Sequence, residues 1–201
     1  MSIAIEHEKR KREILEKALD VFIEEGYADT TFQKIADRCD ITRTILYLYF
    51  KNKREVFMFS IKLFTEKLEA EIRDASSGQA PSWEVLIVLA SLMIDRCIDQ
   101  SKLLAVIVGY LQHSRKSGGD VSEKVRRRTI RMRHIVSGIV IQGQRRGELR
   151  KVPVGSVSDF FYSILEAAIF RVSVLGIDNC DDLKSAMRLF FEGLRIDAPA
   201  A

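Results

Sequence analysis

The chain has little of what marks a secreted, metal-bearing or catalytic protein. Its three cysteines, Cys39, Cys97 and Cys180, are odd in number, widely spaced and free of any C-x-x-C pair. That pattern excludes a disulfide framework and a cysteine-based zinc site, and points to a reducing compartment. The three histidines are scattered, so neither metal-ligand spacing nor a nucleophile with an adjacent base is present; no cofactor is expected and the chain does not read as an enzyme. No apolar run reaches the ~20 residues needed to span a bilayer, and the most apolar stretch, Val85–Ile94, reads as a buried helix. Met1–Arg12 is polar and charged and lacks the apolar core of a secretory leader. A soluble, cytoplasmic protein with no membrane partner is therefore expected. No segment sustains period-two alternation, which argues against strands. Charge is nearly balanced: a net +4 over 201 residues is compatible with an anionic partner but too small to demand one.

What is present is helical periodicity. Apolar positions Ile14, Leu15, Ala18, Val21 and Phe22 recur at helical spacing from Glu8 to Glu25, and Gly26 supplies a helix stop. Two short helices follow: one opened by Thr30 with Gln33 in the reciprocal capping position, and one opened by Thr42, with a tight turn at Asp40 between them. On the second, the spacing turns Ile45, Leu46 and Phe50 inward and leaves Arg43, Thr44, Tyr47 and Tyr49 outside. Two short helices around a tight turn make a helix-turn-helix, whose second member enters the DNA major groove. Asn52, with Glu55 three residues on, caps a fourth helix carrying the stripe Phe57, Ile61, Phe64, Leu68 and Ile72. Beyond the linker Ser76–Pro81, segments Ser82–Asp99, Lys102–Ser114, Val121–Gln144, Ser156–Leu175 and Asn179–Leu194 all read as helix, with Gly118, Gly119, Gly147 and Pro153 between them.

The ordered set Ile14-Leu-Glu-Lys-Ala-Leu-Asp-Val-Phe-Ile-Glu-Glu-Gly-Tyr, Thr30-Thr, Ile35-Ala and Leu46-Tyr-Leu-Tyr-Phe-Lys-Asn-Lys closely resembles the TetR-type (tetracycline-repressor-like) family of bacterial regulators. The resemblance implies an all-α protein of about nine helices. A three-helix helix-turn-helix domain would occupy residues 1–54, and a larger helical effector-binding and dimerisation domain residues 55–201. It also implies a homodimer on a palindromic double-stranded DNA operator, usually as a repressor, released by a small-molecule effector. Carried onto this chain, Thr30 and Thr31 would touch phosphate from a helix N-terminus. Thr42, Arg43 and Thr44 would face base edges, and Tyr47 and Lys53 phosphate; Lys51 strengthens the placement of Tyr47 at the DNA.

The remaining site residues come from the apolar stripes. Phe64, Met93, Cys97, Tyr110 and Phe161, with His113 and Arg128 as the polar members, are candidates for a pocket suited to a lipophilic or aromatic molecule. Packing alone also accounts for Met93 and Cys97, and the arginine run around Arg128 also reads as a solvated face. Phe160, Phe161, Ile164, Ala168, Leu183, Met187, Phe190 and Leu194 give the last two helices more apolar surface than one side of a core uses, as a helical dimer interface requires; the alternative is that they only close the core. A helical enzyme or ligand carrier is the competing class, and a DNA-binding protein answering to a protein partner is a third.

Overall fold

The computed structural model describes residues 2–76, 80–116 and 122–196, apart from the side chains of 2–4, 122–129, 131 and 132. Among these residues the regular structure is helical, save a single bridge between Leu149 and Arg195. The helices are α1 (Ser2–Asp29), α2 (Phe32–Arg38), α3 (Arg43–Tyr49), α4 (Lys53–Ser76), α5 (Ser82–Asp99), α6 (Ser101–Lys116), α7 (Ser122–Arg145), α8 (Val154–Phe170) and α9 (Asp181–Gly193). They form two compact units. One runs through Glu71 and takes in Val106–Gln112 of α6; the other holds Ile72–Ala105 and the chain from His113 onward. The first unit thus extends past the expected boundary at 54/55. Val56, Phe57 and Ile61, beyond that boundary, are buried, and α4 passes through residue 54 without interruption.

In the first unit the α1 stripe Ile14, Leu15, Ala18, Val21 and Phe22 is buried as its spacing predicts. The helix breaks at Gly26, whose φ of 79° and ψ of 163° suit a residue without Cβ. Aromatic rings fill the interior. Phe57 packs edge-on against Phe22 at 4.8 Å and lies 4.8 Å from Tyr110, which meets Tyr27 edge-on at 4.6 Å. Such pairs add about 0.5–1.5 kcal/mol each beyond burial. The Ser60 hydroxyl donates to the Leu15 carbonyl at 2.8 Å and ties α4 to α1.

In the second unit α5 packs against α7, α8 and α9. Its Leu86, Leu89, Ala90 and Ile94 are buried, as are Val157, Phe161, Leu165 and Ala168 of α8 and Leu183, Met187 and Phe191 of α9. The start of α5 has no side-chain cap of its own; the Glu148 carboxylate accepts from the Ser82 N–H at 2.8 Å instead. The Ser82 side chain, with that backbone bond and Arg146 in support, holds the Glu148 carboxyl below its usual range. The helix expected over Ser156–Leu175 is α8 followed by a wider π-type turn, Arg171–Leu175, which ends at left-handed Gly176.

Gly143 of α7 marks a close approach. A Cβ there would stand 2.6 Å from both Ser82 Cβ and Leu149 Cδ1, so the helix must shift to admit a methyl. Gly143→Ala is expected to cost about 1–3 kcal/mol, as other overpacking substitutions do. Denaturant unfolding checks it; an unchanged midpoint would contradict the close contact.

Candidate nucleic-acid interface

Local sequence chemistry sets the angle of α3. Thr31, not Thr30, caps α2, its hydroxyl accepting from the Lys34 N–H at 3.2 Å. Thr30 is 1% exposed and its hydroxyl donates to the Gly26 carbonyl at 2.7 Å. The expected cap is therefore displaced by one residue: the first threonine closes the Gly26 break and the second opens the helix. Gln33 makes no reciprocal cap, bonding Asp37 instead. Asp40 adopts a φ of 56° in the turn, a left-handed conformation that Asp tolerates better than most residues. Lys17 holds its carboxylate at 3.3 Å, and Arg10 donates to the Cys39 carbonyl at 3.3 Å, so α1 grips the turn from two points. Thr42 caps α3 through the Ile45 N–H at 3.2 Å. Leu46 and Phe50 are buried beneath α3, and Tyr49 stacks on His7 of α1, ring centroids 4.6 Å apart. Tyr49 is thus a packing residue.

The outward face of α3 presents Thr42, Arg43, Thr44 and Tyr47, all exposed. Arg43 donates to the Tyr47 hydroxyl at 3.0 Å with its guanidinium 5.5 Å from that ring, and the ring lies against Phe32 of α2 at 4.7 Å. One arginine is thereby propped in place with further N–H donors available. Ile45 does not turn inward as its spacing suggested; it is 40% exposed, because Leu46 and Phe50 alone fill the space beneath so short a helix. Thr31 and Lys51 flank α3 at the surface. Lys53 is engaged within the protein: its ammonium donates to the Tyr27 and Ala28 carbonyls at 2.8 and 2.9 Å and sits 4.7 Å over the Tyr27 ring. Partial burial pulls its pKa down, opposed by nearby Asp29.

The seven pocket candidates divide between the two units. Phe64 is half-buried and Tyr110 buried in the first; in the second Met93 and Cys97 are half-buried, Phe161 is buried and His113 exposed. The Arg128 side chain lies outside the described residues. Burial pushes the Cys97 thiol up to about 12, the behaviour of a packing residue. Sequence reading missed Tyr162 of α8. It is 7% exposed, Arg133 lies 5.3 Å from its ring, and its hydroxyl has no partner among the described residues. The Tyr110 hydroxyl is likewise unpartnered. Reading also missed an open groove of about 530 Å³ between α1 and α4, lined by Lys9, Arg12, Leu15, Phe59 and Leu63 among others. Among the described residues no cluster of His, Cys, Asp or Glu could hold a metal, and no helix is long and apolar enough to cross a membrane.

The expected interface residues separate by facing. Phe161, Ala168, Leu183 and Met187 are buried inside the chain, because α8 and α9 turn these positions toward α5, so charges there would act on the core. Phe160, Ile164, Phe190 and Leu194 are half-buried, with Phe160 stacked on Phe190 at 4.0 Å. Leu189 beside them is 71% exposed.

A capped second helix held on a first by a tight turn, presenting arginine and tyrosine outward, defines a helix-turn-helix DNA-binding protein. Residues 14–58 match the family described as bacterial regulatory proteins, tetR family. Over this helix-turn-helix segment the chain is similar to TetR-type transcriptional regulators. It is 27% identical over 151 residues to the fatty acid metabolism regulator protein of Bacillus subtilis (strain 168), covering 71% of this chain and 74% of that one. It is 32% identical over 85 residues to the HTH-type transcriptional regulator SrpR of Pseudomonas putida, covering 42% of this chain but only 39% of that protein. A TetR transcriptional regulator from Chloroflexus aurantiacus J-10-FL shares the fold, with a TM-score of 0.78 at 15% identity over 94% of this chain and 98% of that one.

Proposed function

We propose that the chain acts in the cytoplasm as a homodimeric repressor, binding a palindromic operator through α3 and leaving it when a small lipophilic or aromatic effector binds among the C-terminal helices. The observation that carries the DNA reading is the propped Arg43 on the outward face of α3. Thr42 and Thr44 lie beside it to reach base edges, while Thr31, Tyr47 and Lys51 reach phosphate. Thr30, spent on the Gly26 carbonyl, supports that surface from beneath. An apolar effector is supported by the apolar interior of the second unit and by the relative named for fatty acid metabolism, which makes acyl-chain compounds the first to try. Selection of duplexes from a random DNA pool tests the reading: an enriched inverted repeat is expected, and no enrichment would overturn it.

Two substitutions separate reading from support. Arg43→Ala is expected to relax preference at one or two base pairs and cost about 1–3 kcal/mol there, with Tyr47→Phe doing part of the same by releasing the guanidinium. Lys53→Ala removes two charge-assisted bonds and is expected to lower folding stability by roughly 1–2 kcal/mol while leaving the salt dependence of DNA binding unchanged. Lys51→Ala, by contrast, should flatten that dependence by about one unit of slope. A flatter slope for Lys53→Ala would show that its ammonium swings out to phosphate.

A further inference from the structure

We infer that Leu48, aided by Ile45 and the Thr44 methyl, selects the operator by contact with the C5-methyl group of thymine. The inference rests on the DNA-binding reading of α3 and adds a base to it. Leu48 is 75% exposed, the most exposed large apolar side chain among the described residues. Ile45 lies three residues before it and Thr44 four, so the three share one strip of the helix surface. Arg43 and Tyr47 form the adjacent strip, joined at 3.0 Å. The helix thus offers two kinds of edge, one donating hydrogen bonds and one largely apolar, on which the Thr44 hydroxyl is the polar group.

A leucine can neither donate nor accept a hydrogen bond, so it cannot meet phosphate, guanine, cytosine or the polar edge of adenine favourably. The thymine methyl is the one apolar group that base edges present in the major groove. Isolated apolar residues are common on protein surfaces. Here, however, two large ones occupy the outward face of a seven-residue helix whose polar neighbours point the same way. An operator read by this surface should place thymine within the part of each half-site that Leu48 reaches, next to the pair read by Arg43.

The test replaces each thymine of the selected operator, one at a time, with deoxyuridine, which removes the methyl and keeps every hydrogen-bonding group. One buried methyl is worth about fourfold in affinity. The wild-type protein should lose about that factor per half-site at one thymine, and Leu48→Ala should bind more weakly overall and be indifferent to uridine at that position. Because Leu48 is exposed, Leu48→Ala should melt like the wild type, which separates lost reading from lost fold. Equal sensitivity to uridine in wild type and variant would overturn the assignment to Leu48. An enriched operator with no uridine-sensitive position would overturn methyl reading while leaving DNA binding intact. A random pool yielding no operator would overturn both.

Discussion

Glutamate at both Ile164 and Leu189 is expected to leave the chain folded but monomeric, and to lower its affinity for a two-half-site operator by about 10²–10⁴, the avidity that a second linked contact supplies. Leu189 is 71% exposed and Ile164 half-buried, so neither charge need enter the core. Together they would break the apolar face proposed to meet a second copy, and the two added carboxylates on each protomer would repel those of its two-fold mate. Sedimentation gives the mass, and binding to one and two half-sites gives the coupling. A dimer of unchanged strength would place the interface elsewhere. The contrast is Met187→Glu at a position 1% exposed: it should unfold the second unit, since a buried unpaired charge exceeds what a domain can bear.

The second large effect is linkage between effector and DNA. A ligand that favours the DNA-incompetent dimer by about 1–3 kcal/mol weakens operator binding roughly 5–150-fold, and bound operator must weaken the ligand by the same factor. Tyr162 gives this a handle. Its buried hydroxyl finds no partner among the described residues, which costs about 1–3 kcal/mol, a cost that an acceptor on a bound ligand would lift. Tyr162→Phe is therefore expected to keep or raise the melting temperature of the free protein while weakening an acyl-chain effector found by its release of operator. Equal ligand affinity for free dimer and dimer on operator would show that ligand binding is not the switch. Unchanged ligand affinity in Tyr162→Phe would remove Tyr162 from the site.

Much of the DNA-reading unit was legible in the sequence because its signals are local. Gly26, Asp40, Thr42 and Asn52 each act through their own backbone and the next few residues, and each does what its residue type dictates: Gly26 and Asp40 take positive φ, and Thr42 and Asn52 accept from the third N–H onward. The slip from Thr30 to Thr31 has the same origin, since two adjacent threonines offer the same cap and only the Gly26 carbonyl, one helical turn back, decides between them. Lys53, expected at phosphate, is engaged within the protein instead, and the sequence carries no sign of it because its partners are the carbonyls of Tyr27 and Ala28, more than twenty residues away. Periodicity also could not separate the faces of α8 and α9. Phe160 and Phe161 are adjacent and chemically identical, yet one stacks on Phe190 near the surface and the other is fully buried. A helix apolar on more than one side carries no mark in its own sequence of which side meets its own chain and which a partner.

The central claim is that α3 reads a specific duplex. Its most direct test is titration of the protein into the selected operator and into a scrambled duplex of equal length, each over a series of salt concentrations. The account predicts similar salt slopes, because phosphate contacts are shared, and an affinity for the operator at least about 10³ higher at physiological salt. Equal affinities for the two duplexes at every salt concentration would contradict it.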